Sequence, residues 1–116
     1  MKTRPGEVWL ADLGLTAKTR PVIIVSREDD DAPRALVTQV PLTTANRGSR
    51  YEVDLGKLPF LREASVANVQ GLESIPTVRL KSKLGQLKPE HLHLVRNALW
   101  KKNGGVCNKR PRKNMN

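Results

Sequence analysis

Alternating apolar and polar residues in the first part of the chain predict short β-strands. In residues 7–13, every second residue from Trp9 to Leu13 is apolar, which places these side chains on one face of a strand. Residues 21–26 form a β-branched run that is typical of a strand buried on both faces. Because proline lacks a backbone donor, Pro41 is expected at an edge, a bulge or a strand end. Five strands are predicted in all, at residues 7–13, 21–26, 35–43, 51–55 and 65–70.

The last predicted element is a helix from about Pro89 to Lys102. Proline suits the first helical position, because the backbone donor missing there would have no partner within the helix. Leu92, Val95 and Leu99 form an apolar stripe that the helix can bury, with Leu94 and Ala98 flanking it. Short strands followed by one closing helix predict a mostly β protein with a C-terminal α-helix (α+β class), built as a small, curved antiparallel barrel.

The net charge of +10 is concentrated near the C-terminal end of the chain. Residues 101–116 contain six basic residues and no acid, whereas the preceding 100 residues carry 15 basic and 11 acidic residues. The glycines and proline among them give this end the composition of a disordered segment. We therefore expect one folded domain over residues 1–102 and a basic, disordered tail over residues 103–116. Two interpretations of the tail remain: it adds affinity for nucleic acid, or it is a solvated end.

The apolar segments are too short for a membrane protein. The longest unbroken apolar run is Val22–Val25, and the polar N-terminus lacks the apolar core of a signal peptide. Cys107 is the only cysteine, so no internal disulfide can form, which agrees with a reducing compartment. We expect a cytoplasmic protein without membrane association.

Most of the familiar catalytic and metal-binding motifs are absent from the sequence. There is no HExxH motif, no cysteine pair for zinc, no glycine-rich phosphate loop and no GxSxG elbow. His91 and His93 lie two residues apart on the predicted helix, so they face opposite sides and are interpreted as solvated. The acidic run at residues 28–31 is interpreted as a solvated loop. No metal or cofactor is predicted.

Three segments of the N-terminal half form a more specific pattern. They read RPGEVWLADL at residues 4–13, KTRPVIIVS at residues 18–26 and VTQVPLTT at residues 37–44. In this order and spacing they resemble the MazF/PemK (Kid) family, the endoribonuclease toxins of type II toxin–antitoxin systems. The resemblance extends over roughly residues 4–102, including Ser65-Val66 and the Pro-Glu start of the helix. It implies a curved barrel of the SH3-like, CcdB/PemK type.

The resemblance also implies two catalytic residues. The arginine before Pro-Val and the threonine after Pro-Leu match Arg20 and Thr43, with Thr44 as an alternative for the second position. From composition alone, Arg20 would be interpreted as a surface arginine and Thr43 as a strand-end hydroxyl bonded to the backbone. The family pattern reverses both interpretations.

The chemistry that the resemblance implies requires little from the protein. RNA carries its own nucleophile, the 2′-OH beside the scissile phosphate, so catalysis reduces to positioning and charge stabilisation. A guanidinium meets phosphate oxygens through a planar fork and stays charged, and a threonine hydroxyl adds a neutral donor. The expected ends are a 2′,3′-cyclic phosphate and a 5′-OH. Arginine is a poor general base at neutral pH, so the group that takes the 2′-OH proton is not assigned.

The sequence departs from the family pattern at two places. The loop at residues 14–19 is shorter than usual, and many members carry an acid-Gln-x-Arg string where this chain reads Gln70-Gly-Leu-Glu73. Asn68 and Gln70 therefore become candidate RNA-binding residues, and Thr44 is a third candidate for contact with the substrate. The acid at Glu73 puts one phosphate contact in doubt.

The implied partners are single-stranded RNA, a cognate antitoxin and a second copy of the chain in a homodimer, with DNA bound only through the antitoxin. Two other functional classes compete. A CcdB-like toxin would bind gyrase and cleave nothing, but such toxins lack the Arg-Pro-Val and Pro-Leu-Thr pairing. A noncatalytic nucleic-acid-binding barrel is disfavoured because four aromatic residues offer few stacking platforms.

Overall fold

A computed structural model describes residues 3–12, 19–26, 35–45, 48 and 50–102 of the chain. The strands are β1 (Glu7–Asp12), β2 (Thr19–Ile24), β3 (Leu36–Thr43), β4 (Glu52–Lys57), β5 (Ala64–Asn68), β6 (Glu73–Pro76) and β7 (Leu80–Gln86). Short 3₁₀ helices occupy Val69–Gly71 and Thr77–Arg79, and helix α1 spans Pro89–Lys102. The predicted acidic loop at residues 28–31 and the predicted tail at residues 103–116 lie outside the described residues.

The strands form one antiparallel sheet in the order β4-β5-β3-β2-β1-β7, and β6 also pairs with β3. The mostly β class with a C-terminal helix is confirmed, but the described strands make a curved, open sheet rather than a closed barrel. The sheet divides at β3, because β3 pairs with β6 through residues 36–39 and with β5 through residues 42–43. The prediction also missed β6 and β7, because the sequence LKSKLGQ of β7 lacks a clear apolar alternation.

The sheet buries apolar side chains on both of its faces. Val22, Ile23 and Ile24 are all fully buried, which confirms that β2 is covered on both sides. The larger core, on the helix side, consists of Val8, Ile23, Val40, Leu42, Leu55, Leu58, Ala67, Val69, Leu87 and Val95. The smaller core, on the opposite face, consists of Ala11, Val22, Ile24, Val37, Ile75 and Leu80.

Pro41 lies inside a central strand, yet its position fits the expected constraint. The β2–β3 register pairs Val22 with Pro41, and Thr38 accepts a backbone hydrogen bond from Val25. Because backbone groups alternate along a strand, the nitrogen of Pro41 faces away from β2. On the side of β3 away from β2, β6 pairs with residues 36–39 and β5 pairs with residues 42–43. Pro41 lies between these two stretches, so its lack of a backbone donor removes no hydrogen bond between strands.

Helix α1 packs on the sheet through part of its predicted stripe. Val95 is fully buried and Leu99 is half-buried, whereas Leu94 remains 47% exposed. The two histidines differ: His93 is exposed, as expected, but His91 is half-buried and its Nδ1 has no hydrogen-bond partner among the described residues. The solvated interpretation of His91 is therefore wrong, because α1 turns that residue partly toward the protein. No helix in the described part of the chain is long and apolar enough to cross a membrane.

Candidate active site

Strands β2 and β3 bring Arg20 and Thr43 together. Their antiparallel register pairs Ile24 with Gln39 and Val22 with Pro41. Continuing that register by two residues places Arg20 opposite Thr43, and residues directly opposite in a sheet share a face. The two predicted catalytic residues, 23 positions apart in sequence, therefore stand side by side at the end of the sheet face that carries the smaller core.

The Thr43 hydroxyl is held by a local hydrogen bond. Its Oγ1 accepts from the backbone N–H of Ala45 at 3.1 Å, a turn that follows the end of β3. The Thr43 hydroxyl can still donate its own hydrogen to another acceptor, and a phosphate oxygen is a suitable one. Thr44, the alternative candidate, is exposed and lies beyond the strand.

Two cavities flank this pair of residues. Both are lined by Arg20, Leu42 and Thr43, a wall that the two cavities share. The first cavity, of about 260 Å³, adds Pro21, Thr44, Leu61, Arg62, Glu63 and Ser65. The second cavity, of about 230 Å³, adds Pro41, Ala45, Glu52 and Asn68. An arginine and a threonine in this shared wall can hold one anionic group of a ligand, while neighbouring parts of the same ligand enter the two cavities.

Of the predicted RNA-binding residues, Thr44 lines the first cavity, and the structure separates Asn68 from Gln70. Asn68 lines the second cavity, and its Oδ1 accepts from the backbone N–H of Gln70 at 3.1 Å. Gln70 itself is exposed on the 3₁₀ helix and lines neither cavity. Asn68 thus joins Arg20 and Thr43 at the site, whereas Gln70 contributes its backbone to the orientation of Asn68.

Comparison with known proteins identifies the family of the chain. A sequence model of the family described as "PemK-like, MazF-like toxin of type II toxin-antitoxin system" matches residues 4–101. The chain belongs to this family. The match covers β1 to α1 and includes Arg20, Thr43 and both cavities.

Individual family members resemble the chain over most of its length. "Probable endoribonuclease MazF5" of Mycobacterium tuberculosis is 36% identical over 99 residues, covering 81% of this chain and 86% of that protein. The solved structure of "Mycobacterium tuberculosis toxin MazF-mt6" superposes with a TM-score of 0.71 at 30% identity, covering 84% of this chain and 94% of that one. The solved structure of an "Endoribonuclease in complex with its cognate antitoxin from Mycobacterial species" superposes with a TM-score of 0.76 at 27% identity, covering 88% of this chain and 95% of that one.

The charged groups around the site are of both signs. Arg20 and Arg62 bring guanidinium groups to the first cavity together with the carboxylate of Glu63. The second cavity combines Arg20 with the carboxylate of Glu52. Within the described residues, no group of three or more His, Cys, Asp or Glu side chains is arranged to hold a metal ion.

Sequence reasoning did not select several residues that line the cavities. These are Glu52, Leu61, Arg62, Glu63 and Ser65. Ser65 belonged to a segment that carried the family resemblance, but no role followed from it. Arg62 and Glu63 precede β5 without any motif, and only the pairing of β5 with β3 brings them near Thr43.

Proposed function

We propose that the chain is an endoribonuclease toxin that cleaves single-stranded RNA at selected sequences, without a metal ion, with Arg20 and Thr43 at the scissile phosphate. The observation that carries this proposal is the position of these two residues in the wall shared by two cavities. Family membership supports the same activity, because relatives of the chain are themselves described as endoribonucleases.

In the proposed reaction, the 2′-oxygen of RNA attacks the adjacent phosphorus. The new bond is 2′-O–P, the bond that breaks is P–O5′, and the products are a 2′,3′-cyclic phosphate and a 5′-OH. The 2′-OH loses its proton to a base, and the departing 5′-oxygen gains one. The Arg20 guanidinium stabilises the charge that builds on the phosphate oxygens, and the Thr43 hydroxyl donates to one of them. Because RNA supplies its own nucleophile, this scheme needs no metal-bound water.

The proposed partners follow from charge and from exposed apolar residues. A protein with a net charge of +10 is suited to bind RNA and an acidic antitoxin segment, and it would meet DNA only through that antitoxin. A mycobacterial relative has been solved with its cognate antitoxin, which supports the same kind of partner here. Leu36, Val78, Leu94 and Trp100 are large apolar residues exposed in the single chain. Such exposure supports a homodimer. We place the protein in the cytoplasm, where its RNA substrate is found.

A gyrase-binding toxin of the CcdB type is not favoured. That function needs no phosphate site, whereas an arginine and a threonine hydroxyl converge here between two cavities. The family match and the endoribonuclease relatives also favour RNA cleavage.

The proposed function is tested by incubating the purified protein with a long single-stranded RNA in EDTA and mapping the new ends. We expect cleavage at a restricted set of sequences, leaving 2′,3′-cyclic phosphate and 5′-OH ends. The Arg20→Ala protein, purified in the same way, controls for contaminating ribonuclease. Cleavage that is lost in EDTA and restored by magnesium or zinc would overturn the metal-independent mechanism, and absence of cleavage in both conditions would overturn the function.

A further inference from the structure

We propose that sequence selectivity is divided between the two cavities, so that each one receives and reads one of the two bases flanking the scissile phosphate. This inference rests on the proposed ribonuclease function and deepens it. A phosphodiester group joins two consecutive nucleotides. Arg20 and Thr43, which we propose to hold that group, line both cavities, whereas Ser65 of the first cavity and Asn68 of the second lie three residues apart along β5. The two nucleotides on either side of the phosphate can therefore enter different cavities.

The size of the cavities fits one base each. Their volumes are about 260 and 230 Å³, whereas pockets for drug-sized ligands span roughly 300–1,000 Å³. Neither cavity can enclose several nucleotides, so a longer RNA must run past both. A single planar base in each cavity uses the space that the structure offers.

One wall of the first cavity is held in place by packing and hydrogen bonds, as base selection requires. It is formed by the β4–β5 connection, which the buried side chain of Leu58 anchors in the larger core. The ring of Phe60 lies against the backbone of β7 at Gly85, so closely that a β-carbon there would be 2.3 Å from the ring. Lys57 fixes the same connection by donating through Nζ to the carbonyls of Leu58 (3.2 Å) and Leu61.

The same wall presents polar groups that can read a base edge. The Glu63 carboxylate accepts hydrogen bonds and the Arg62 guanidinium donates them, and both side chains are exposed at the first cavity. Ser65 is buried, and its Oγ donates to the Glu63 carbonyl at 3.2 Å, which fixes that residue relative to β5. Leu61 adds an apolar surface against which a base can lie.

The wall of the second cavity is fixed by a different close contact. Pro41 packs against the 3₁₀ helix at Gly71, where a β-carbon would lie 2.6 Å from the proline ring. This contact holds the 3₁₀ helix, and with it Asn68, against β3. Because its Oδ1 already accepts from Gln70, the NH₂ group is the part of Asn68 that remains to donate to a base in the cavity, which Glu52 also lines.

The test compares cleavage preferences of two isosteric variants on a library of RNAs randomised around the cleavage site, in EDTA. Glu63→Gln turns an acceptor of the first cavity into a mixed donor and acceptor. Asn68→Asp keeps the acceptor for Gln70 but replaces the donor of the second cavity by an acceptor. Glu90→Gln and Asn97→Asp make the same chemical changes at exposed positions of α1 and serve as matched controls.

We expect each cavity variant to change the base preference at one nucleotide adjacent to the cleaved bond by roughly tenfold, the scale of one base-reading contact. Glu63→Gln should act on one side of the bond and Asn68→Asp on the other. Asn68→Asp should shift the preference toward bases that present a donor. The control variants should keep the preferences of the wild type.

The outcomes separate this inference from the function on which it rests. Absence of cleavage by the wild type overturns both. Cleavage by the wild type with preferences unchanged in both cavity variants overturns the inference alone, as does a change on the same side of the bond in both. Since a variant with altered folding would also lose overall rate, only the ratio of cleavage between RNAs is compared. Arg62→Ala provides a second variant in the first cavity.

Discussion

The carboxylate of Glu7 lies 3.0 Å from the ammonium group of Lys83, across the paired strands β1 and β7. Glu7 is 6% exposed and also accepts from the indole nitrogen of Trp9 and the backbone nitrogen of Arg4, both at 3.1 Å. Burial alone would raise the pKa of Glu7, but these hydrogen bonds and the Lys83 charge outweigh it and lower that pKa below its ordinary value. The ionised form of Glu7 therefore stabilises the folded chain.

The first prediction concerns the stability of the protein in acid. The pKa of Glu7 is lower in the folded chain than in the unfolded chain, where it is about 4.3. The contribution of Glu7 to the free energy of unfolding is therefore complete above the pKa of the unfolded chain and is lost as the pH falls through the pKa of the folded chain. We expect Glu7→Gln to reduce the free energy of unfolding by about 1–2 kcal/mol at pH 7, since Lys83 is partly solvated. The difference from the wild type should shrink between pH 5 and pH 3 in urea titrations.

Glu73→Gln, a change of an exposed acid on β6, is the matched control for this prediction. It should alter stability little at either pH. A difference between Glu7→Gln and the wild type that stays constant from pH 7 to pH 3 would contradict a stabilising role for the ionised carboxylate.

The second prediction separates the two positions that we propose to be catalytic, Arg20 and Thr43. Arg20→Ala removes the main positive charge at the phosphate and should slow single-turnover cleavage at saturating RNA by roughly 10³–10⁵-fold. Thr43→Ala removes one neutral donor and should slow the same cleavage step by about 10²–10³-fold. Thr43→Ser keeps the hydroxyl and should retain most of the activity. Arg96→Ala, at an exposed arginine on α1, is the matched control and should cleave like the wild type.

Both catalytic variants should remain folded, because Arg20 is exposed and Thr43 is only half-buried. Thermal unfolding followed by circular dichroism checks this point. If Arg20→Ala cleaves at the wild-type rate under saturating RNA, the active site has been placed wrongly.

The sequence predicted those parts of the site that local pattern determines. The run at residues 21–26 identified a buried strand, and the family pattern placed Arg20 at its start and Thr43 at the end of a second strand. The adjacency of these two residues follows from the β2–β3 register. Register is set by pairing partners that periodicity alone does not reveal.

The cavity walls could not be predicted in the same way. Arg62 and Glu63 belong to no motif, and their position depends on Phe60 packing against Gly85, 25 residues further along the chain. Strand β7 was itself missed, since its residues are mostly exposed and polar. A long-range contact between a connection and an unrecognised strand leaves no periodic signal in the sequence.

The third prediction tests the contact between Phe60 and Gly85. Gly85→Ala places a methyl group where the ring now lies, so either the ring or β7 must move, and we expect a loss of about 1–3 kcal/mol in the free energy of unfolding. In the Phe60→Ala protein, which lacks the ring, Gly85→Ala should reduce the free energy of unfolding by much less. The two changes should therefore be coupled in a double-mutant cycle by about 0.5 kcal/mol or more. Purely additive effects would show that the contact does not position the β4–β5 connection.

The fourth prediction concerns the basic segment after α1. Truncation after Lys102 removes four basic residues (Lys109, Arg110, Arg112 and Lys113), none of which belongs to the proposed site. If this segment contacts RNA phosphates, its removal should weaken RNA affinity and reduce the slope of log affinity against log salt by up to about 3, given about 0.7 per phosphate contact on a single strand. The cleavage sequence should not change, because phosphate contacts do not discriminate between bases. Replacing the four residues by glutamine, which keeps the chain length, should have the same effect. An unchanged salt slope in both proteins would identify the segment as a solvated end, and a changed cleavage sequence would show that it contributes to base selection.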